Sequence, residues 1–193
     1  MEYLFFPGAS GNTQFWHPLI QNLNLNAPHR IIAYPSFHGC ADHPDVQNFQ
    51  DLTNYVLDQV TQECGIIAQS MGGIFAVLAA LKKPHLVKKL VLVATSGGID
   101  LTPFDVADWR ADYHHQNYVP DWFSTAQIHL DITQIQCPTL LLWGSADTIS
   151  PISVGQYLQR TIPNAQLHVI DNGDHQFACS QASVVAPFVQ SFL

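Results

Sequence analysis

Six short apolar runs, alternating with stretches of helical length and period, limit what this chain can fold into more than any other feature. The runs are Tyr3–Phe6, Arg30–Tyr34, Gly65–Gln69, Leu90–Ala94, Thr139–Trp143 and Gln166–Ile170. Several are continuous in apolar character rather than alternating, as a strand covered on both faces requires. Between them, helical spacing falls at Thr13–Leu23, Phe49–Glu63, Met71–Leu81 and Ile152–Thr161, with a last helix from Ser180 as N-cap to Leu193. Met71–Leu81 is apolar almost all round and reads as a buried helix. Strands joined by helices run parallel, so the expectation is a mostly parallel sheet between two helix layers. Residues 99–130 break the alternation. They are rich in Asp, His, Tyr, Trp and Pro without a convincing strand, and read as a short cap or lid within a single domain spanning 1–193.

The chain's 193 residues are enough for one sizeable core. Hydrophobic residues make up 47% and charged ones 11%, which excludes a disordered chain. A formal charge of −8 argues against non-specific nucleic-acid binding and against an anionic membrane surface. Lys82, Lys83, Lys88 and Lys89 flank one helix-to-strand turn and read as a solvated group. The four cysteines lie far apart with no CxxC pair, so neither a zinc knuckle nor a redox motif is indicated. Reduced, mostly buried thiols in a cytoplasmic protein are the expectation. The N-terminal MEYLFF lacks a basic region and reads as a strand rather than a signal peptide. No apolar run reaches the length of a membrane span.

Three turns carry chemistry. In Gly65-Ile-Ile-Ala-Gln-Ser70-Met-Gly-Gly73 an apolar strand runs into a serine with small residues two before and two after, and a helix follows at once. This is the layout of a nucleophile elbow, with Ala68 where Gly is usual. The bland alternative is a strand followed by a serine helix cap. In Leu140-Leu-Leu-Trp-Gly-Ser-Ala-Asp147 an acid follows the carboxyl end of a buried strand. Taken alone, Asp147 reads as a cap for the next helix. In Val169-Ile-Asp-Asn-Gly-Asp-His175 a Gly-containing loop delivers a histidine after the last strand. Taken alone, it reads as an ordinary surface or core histidine. Together the three give a nucleophile, an acid and a base in the order Ser…Asp…His, each in a strand-end loop.

With these turns, the motifs PGASGNTQFW, AQSMGG, CPTLLLWGSAD and GDHQFA resemble the α/β-hydrolase superfamily, in its small bacterial esterase, thioesterase and MenH-like branch. The resemblance covers nearly the whole chain and implies a three-layer α/β fold. Its sheet would be trimmed to about six strands, in order 4-3-5-6-7-8 by family numbering, with helices on both faces and a short lid. It also implies Ser70 as nucleophile, His175 as base and Asp147 as the acid that orients it, with the backbone N–H groups of Ala9 and Met71 as oxyanion hole. The family usually has His-Gly where this chain has Pro7-Gly8, so a histidine that often braces the loop is missing. Ser10 is a weaker candidate donor. The mechanism implied is two-step acyl transfer on a small-molecule ester or thioester, with no metal or organic cofactor.

Other residues tempt. His38-Gly-Cys-Ala-Asp42-His43 packs potential metal ligands into six residues, but the family has a Gly-His-Gly loop here, to which His38-Gly39 is assigned. Arg110 is a candidate for a substrate carboxylate, against pairing with Asp108, Asp112 or Asp131. Trp109, Tyr113 and Trp122 are candidates for an apolar acyl pocket, against simply anchoring the lid. The leading function is ester or thioester hydrolysis. The alternatives are a MenH-like lyase or C–C bond hydrolase on the same scaffold, and a binding protein without catalysis.

Overall fold

The computed structural model describes residues 1–109, 119–120, 122–123 and 128–193. Six strands appear: β1 (Glu2–Phe6), β2 (His29–Ile31), β3 (Cys64–Gln69), β4 (Val87–Val93), β5 (Thr139–Gly144) and β6 (Ala165–Ile170). They form one sheet in the order β2-β1-β3-β4-β5-β6, and every neighbouring pair is parallel. This is the expected order. Side chains along each strand alternate between the two faces. Leu4, Phe6, Ile66, Leu92 and Trp143 face one apolar layer, while Phe5, Ile67, Val91 and Leu142 face the other.

The described helices are α1 (His17–Asn22), α2 (Phe49–Asp58), α3 (Met71–Lys82), α4 (Ile152–Thr161), α5 (Phe177–Ser180) and α6 (Ala182–Phe192). Residues of α2, α3 and α4 pack on the first face, and those of α1, α5 and α6 on the second. Helix α3 buries nine residues, including Phe75 and Val77, as its all-round apolar sequence requires.

Several boundaries differ from expectation. Thr13–Trp16 is a 3-10 turn capped by Asn12, and the α-helix proper begins only at His17, with Pro18 in its first turn. Strand β2 ends at Ile31 rather than Tyr34, one last bond to β1 running from Ile32 N to Phe5 O at 2.9 Å, and Tyr34 beyond it is fully buried. Helix α2 stops at Asp58, five residues early, where Lys83 Nζ donates to the Leu57 and Val60 carbonyls at 2.7 and 2.9 Å. Ser180 is not the cap of the last helix. It ends α5, its hydroxyl donates to Gln176 O, and Gln181 takes the cap position.

The lysine group is likewise not simply solvated. Besides Lys83, Lys89 Nζ donates to the last two carbonyls of the chain, Phe192 O and Leu193 O, at 2.6 and 2.8 Å. Cations at helix C-termini satisfy carbonyls left over by the helix. Of the four free cysteines only Cys64 is fully buried, and burial pushes its thiol up to about 11. At the sheet edge, Arg30 Nε donates to Glu2 Oε1 at 2.7 Å and holds that nearly buried carboxyl below its ordinary range. Among the described residues no helix is long and apolar enough to cross a membrane.

Candidate active site

The chain leaves β1 for β2 on one side, then returns to place β3 on the other. The carboxyl ends of β1 and β3 therefore flank the point where strand order reverses, the crevice in which such sheets bind ligands. The loop after β1 carries Ala9, and the turn after β3 carries Ser70 and Met71. Adjacent strands bring these segments together without any long-range device.

Ser70 adopts φ 53° and ψ −122°, a conformation that L-residues seldom occupy. Such strain costs on the order of 1–3 kcal/mol and persists only where the surroundings enforce it. Here the enforcing bonds are visible. Ser70 N donates to Val93 O at 3.0 Å, and its carbonyl accepts from Gly73 N at 3.0 Å and from Thr95 Oγ1 at 2.5 Å. The flanking small residues follow from space. A Cβ at Gly72 would meet the carbonyls of Phe6 and Pro7, and one at Gly73 would meet Thr95. Ala68 is fully buried, so the single methyl that replaces the usual glycine is accommodated.

Asp147 and His175 meet across neighbouring strand ends. His175 Nδ1 lies 2.8 Å from Asp147 Oδ2, and the Asp147 side chain has no solvent exposure. Asp147 Oδ1 accepts from the N–H groups of Ile149 and Ser150, both at 2.9 Å. The carboxylate thus holds its own loop with one oxygen and the imidazole with the other. The two loops are stitched together: Ala146 N donates to Gly173 O, and Asn172 N donates to Ser145 Oγ. Gly144 lies so close to the Gly173 carbonyl that a side chain there would part them.

A cavity of about 450 Å³ opens above these turns, lined by Ser70, His175, Ala9 and Met71. From the segment over the crevice, Trp109, Leu101 and Phe123 also line it. Neither the Ala9 nor the Met71 N–H is engaged by another backbone group among the described residues. Among the described residues the Ser70 hydroxyl likewise makes no hydrogen bond. In unliganded sites such contacts commonly form only with substrate.

Two of the expected substrate residues fall elsewhere. Ser10 does not line the cavity, and its hydroxyl accepts from Asn12 N at 3.3 Å, shaping the loop instead. Trp122 packs on Phe37 and Phe123, with ring centroids 5.9 and 6.4 Å away, behind the cavity wall. Arg110 and Tyr113 lie outside the described residues. Around His38 the backbone takes positive φ at both His38 and Gly39, as a tight loop does.

Three residues escaped sequence reasoning. The buried Tyr34 hydroxyl donates to Pro7 O at 2.8 Å, bracing the loop from which the usual histidine is missing. Burial also raises the Tyr34 phenol well above its ordinary value, so it stays a donor. Gln69 donates to His175 O at 3.3 Å while its amide packs against Gly8, linking the end of β3 to two loops. Thr95 pins the Ser70 carbonyl. The sequence offered one usable signal, a buried Gln directly before the elbow serine. Tyr34 and Thr95 act through distant contacts that no local pattern reveals.

Residues 4–128 match the alpha/beta hydrolase fold family. A poly(3-hydroxyalkanoate) depolymerase of Ectopseudomonas oleovorans is 28% identical over 242 aligned positions, covering 98% of this chain and 83% of the relative. The alignment is longer than the chain, so the relative carries insertions that this chain lacks. A 2-hydroxy-6-oxononadienedioate/2-hydroxy-6-oxononatrienedioate hydrolase of Pseudomonas putida is 26% identical, over 97% of this chain and 84% of its own length. Among solved structures, a meta-cleavage product hydrolase from Pseudomonas fluorescens superposes with a TM-score of 0.77 at 19% identity, covering 100% of this chain and 90% of that one. The chain belongs to the α/β-hydrolase family and is an enzyme of that class.

Proposed function

We propose that the protein is a serine hydrolase of small or medium-sized carboxylic esters or thioesters, acting through an acyl-enzyme. The observation that carries the reading is the pairing of His175 Nδ1 with buried Asp147 at 2.8 Å beside a cavity that Ser70 also lines. With Nδ1 committed to the carboxylate, Nε2 is the nitrogen left to take a proton. Ser70 Oγ attacks the substrate carbonyl as His175 accepts its proton, and Asp147 stabilises the imidazolium that results. The oxyanion accepts hydrogen bonds from the Ala9 and Met71 N–H groups, and Met71 opens a buried helix whose dipole favours the negative charge. His175 then gives its proton to the leaving alcohol or thiol. Water, activated by the same imidazole, releases the acid and restores the serine.

The depolymerase named among the relatives acts on an ester polymer, which favours this reading. The 2-hydroxy-6-oxononadienedioate hydrolase and the meta-cleavage product hydrolase favour a second one, cleavage of a carbon–carbon bond next to a ketone by the same triad. Initial rates on p-nitrophenyl esters of increasing chain length, on acyl thioesters and on a meta-cleavage dienone separate the two. Ester or thioester turnover at least a hundredfold faster than dienone turnover is expected. Dienone turnover alone would overturn the ester assignment.

A further inference from the structure

Residues 99–130 are unusual in charge: the sequence there holds five aspartates (Asp100, Asp105, Asp108, Asp112 and Asp121) against one basic residue, Arg110, so half of the chain's formal charge of −8 falls in this stretch. Asp100 lines the same cavity as Ser70 and His175. It is fixed in place: Oδ1 accepts from Thr102 N at 2.9 Å and from Thr102 Oγ1 at 2.7 Å. These bonds hold the carboxyl below its ordinary range, so the group is an anion at neutral pH.

No Lys or Arg lines the cavity among the described residues, and the other titratable groups on its wall are His129 and His175. Phe49, Trp109 and Phe123 supply aromatic surface, which attracts cations as well as packing against apolar groups. Ser150 lines the cavity at 6% exposure, and its hydroxyl, like that of Ser70, has no partner among the described residues. A fixed anion with aromatic neighbours, and no guanidinium or ammonium among the described lining residues, discriminates among substrates by charge.

We infer that the site takes esters or thioesters that are neutral or carry an ammonium group, rejects those bearing a free carboxylate, and uses Asp100 as the residue that sets this selectivity. The inference rests on the hydrolase reading above and narrows its substrate class.

The test uses three p-nitrophenyl esters of matched acyl length, ending in trimethylammonium, tert-butyl or carboxylate. They are assayed at pH 8, above the ordinary titration range of imidazole. At low salt kcat/KM should fall in the order cation, neutral, anion, by roughly three- to fivefold per step, the upper end for a solvent-exposed charge such as Asp100. Asp100→Asn keeps the oxygen that accepts from Thr102 and removes the charge. It should shrink the cation-to-neutral ratio roughly three- to fivefold, and 0.5 M NaCl should shrink the wild-type ratio similarly. Asp105→Asn removes the same charge from a residue that does not line the cavity, and should leave the ratio within about twofold.

Equal rates on the neutral and carboxylate esters in wild type would overturn the inference. So would an unchanged ratio in Asp100→Asn, or equal effects of the two variants. Calorimetric binding of the matching methyl ketones reads the same ranking without chemistry. Ranked binding with no ester turnover would sink the hydrolase reading and leave the charge assignment standing; turnover without ranking would do the reverse.

Discussion

Ser70, Asp147 and His175 stand on turns whose backbone is tied at almost every step, whereas the described residues between Ile99 and Leu130 meet the body through a few backbone bonds and much apolar packing. Around the elbow, three hydrogen bonds and two side-chain-free glycines fix one strained residue. The overlying segment closes on itself through Leu130 N to Gly98 O at 2.7 Å and touches the acid loop through Ala107 N to Thr148 O at 2.9 Å. Ile99 N donates to Ser96 O at 3.2 Å, and Leu101, Val106, Ile128 and the aromatic rings pack on the core. Phe123 sits 5.5 to 6.0 Å from the rings of Trp109, Phe37 and Phe49. Backbone bonds fix positions to fractions of an ångström and tolerate little change, while aromatic packing accepts substitution at modest cost. On the function proposed above, the difference puts chemistry at the turns and selectivity in the roof. A roof can be recut for a new substrate without moving the atoms that react.

That division predicts a graded set of effects. Asp147→Asn keeps the shape but cannot hold the imidazole in the same tautomer, so kcat should fall about 10⁴-fold. A fall of less than tenfold in steady-state assays would break the division at its centre. Tyr34→Phe removes only the hydroxyl that braces Pro7. It should lower kcat about tenfold through a loosened Ala9 donor, change KM little and cost about 1 kcal/mol of stability in urea unfolding. A KM effect of the same size would mean that the loop binds substrate rather than the oxyanion. Trp109→Ala, in the roof, should raise KM for long acyl chains several-fold and leave kcat on acetate esters within about twofold. If kcat on acetate collapses, the roof is part of the chemical frame and the comparison fails.

Legibility in the sequence followed the same line. Strand positions were readable because full burial on both faces leaves continuous apolar runs, as at Ile66 to Ala68 and Leu140 to Trp143. The positions of Ser70, Asp147 and His175 were readable because each closely follows the carboxyl end of an apolar strand. Helix ends were less so. The end of α2 depends on a lysine from another element, and the cap expected at Ser180 is displaced because residues 177–180 already form a turn of helix. Nothing near Pro7 announces that its brace is Tyr34, 27 residues away. The roof was least legible, because aromatic residues serve equally as pocket wall and as anchor. Trp109 and Trp122 have the same local character, and only the first lines the cavity. What composition did disclose there was charge.

The central claim is that Ser70 is the nucleophile, activated by the His175–Asp147 pair. It is tested most directly by treating wild type, Ser70→Ala and His175→Ala with a fluorophosphonate probe and mapping the adduct by peptide mass spectrometry. A single adduct on the Ser70 peptide of wild type, absent from Ser70→Ala and slowed at least a hundredfold in His175→Ala, is the predicted result. An adduct on another residue, or equal labelling of the Ser70→Ala protein, would contradict it.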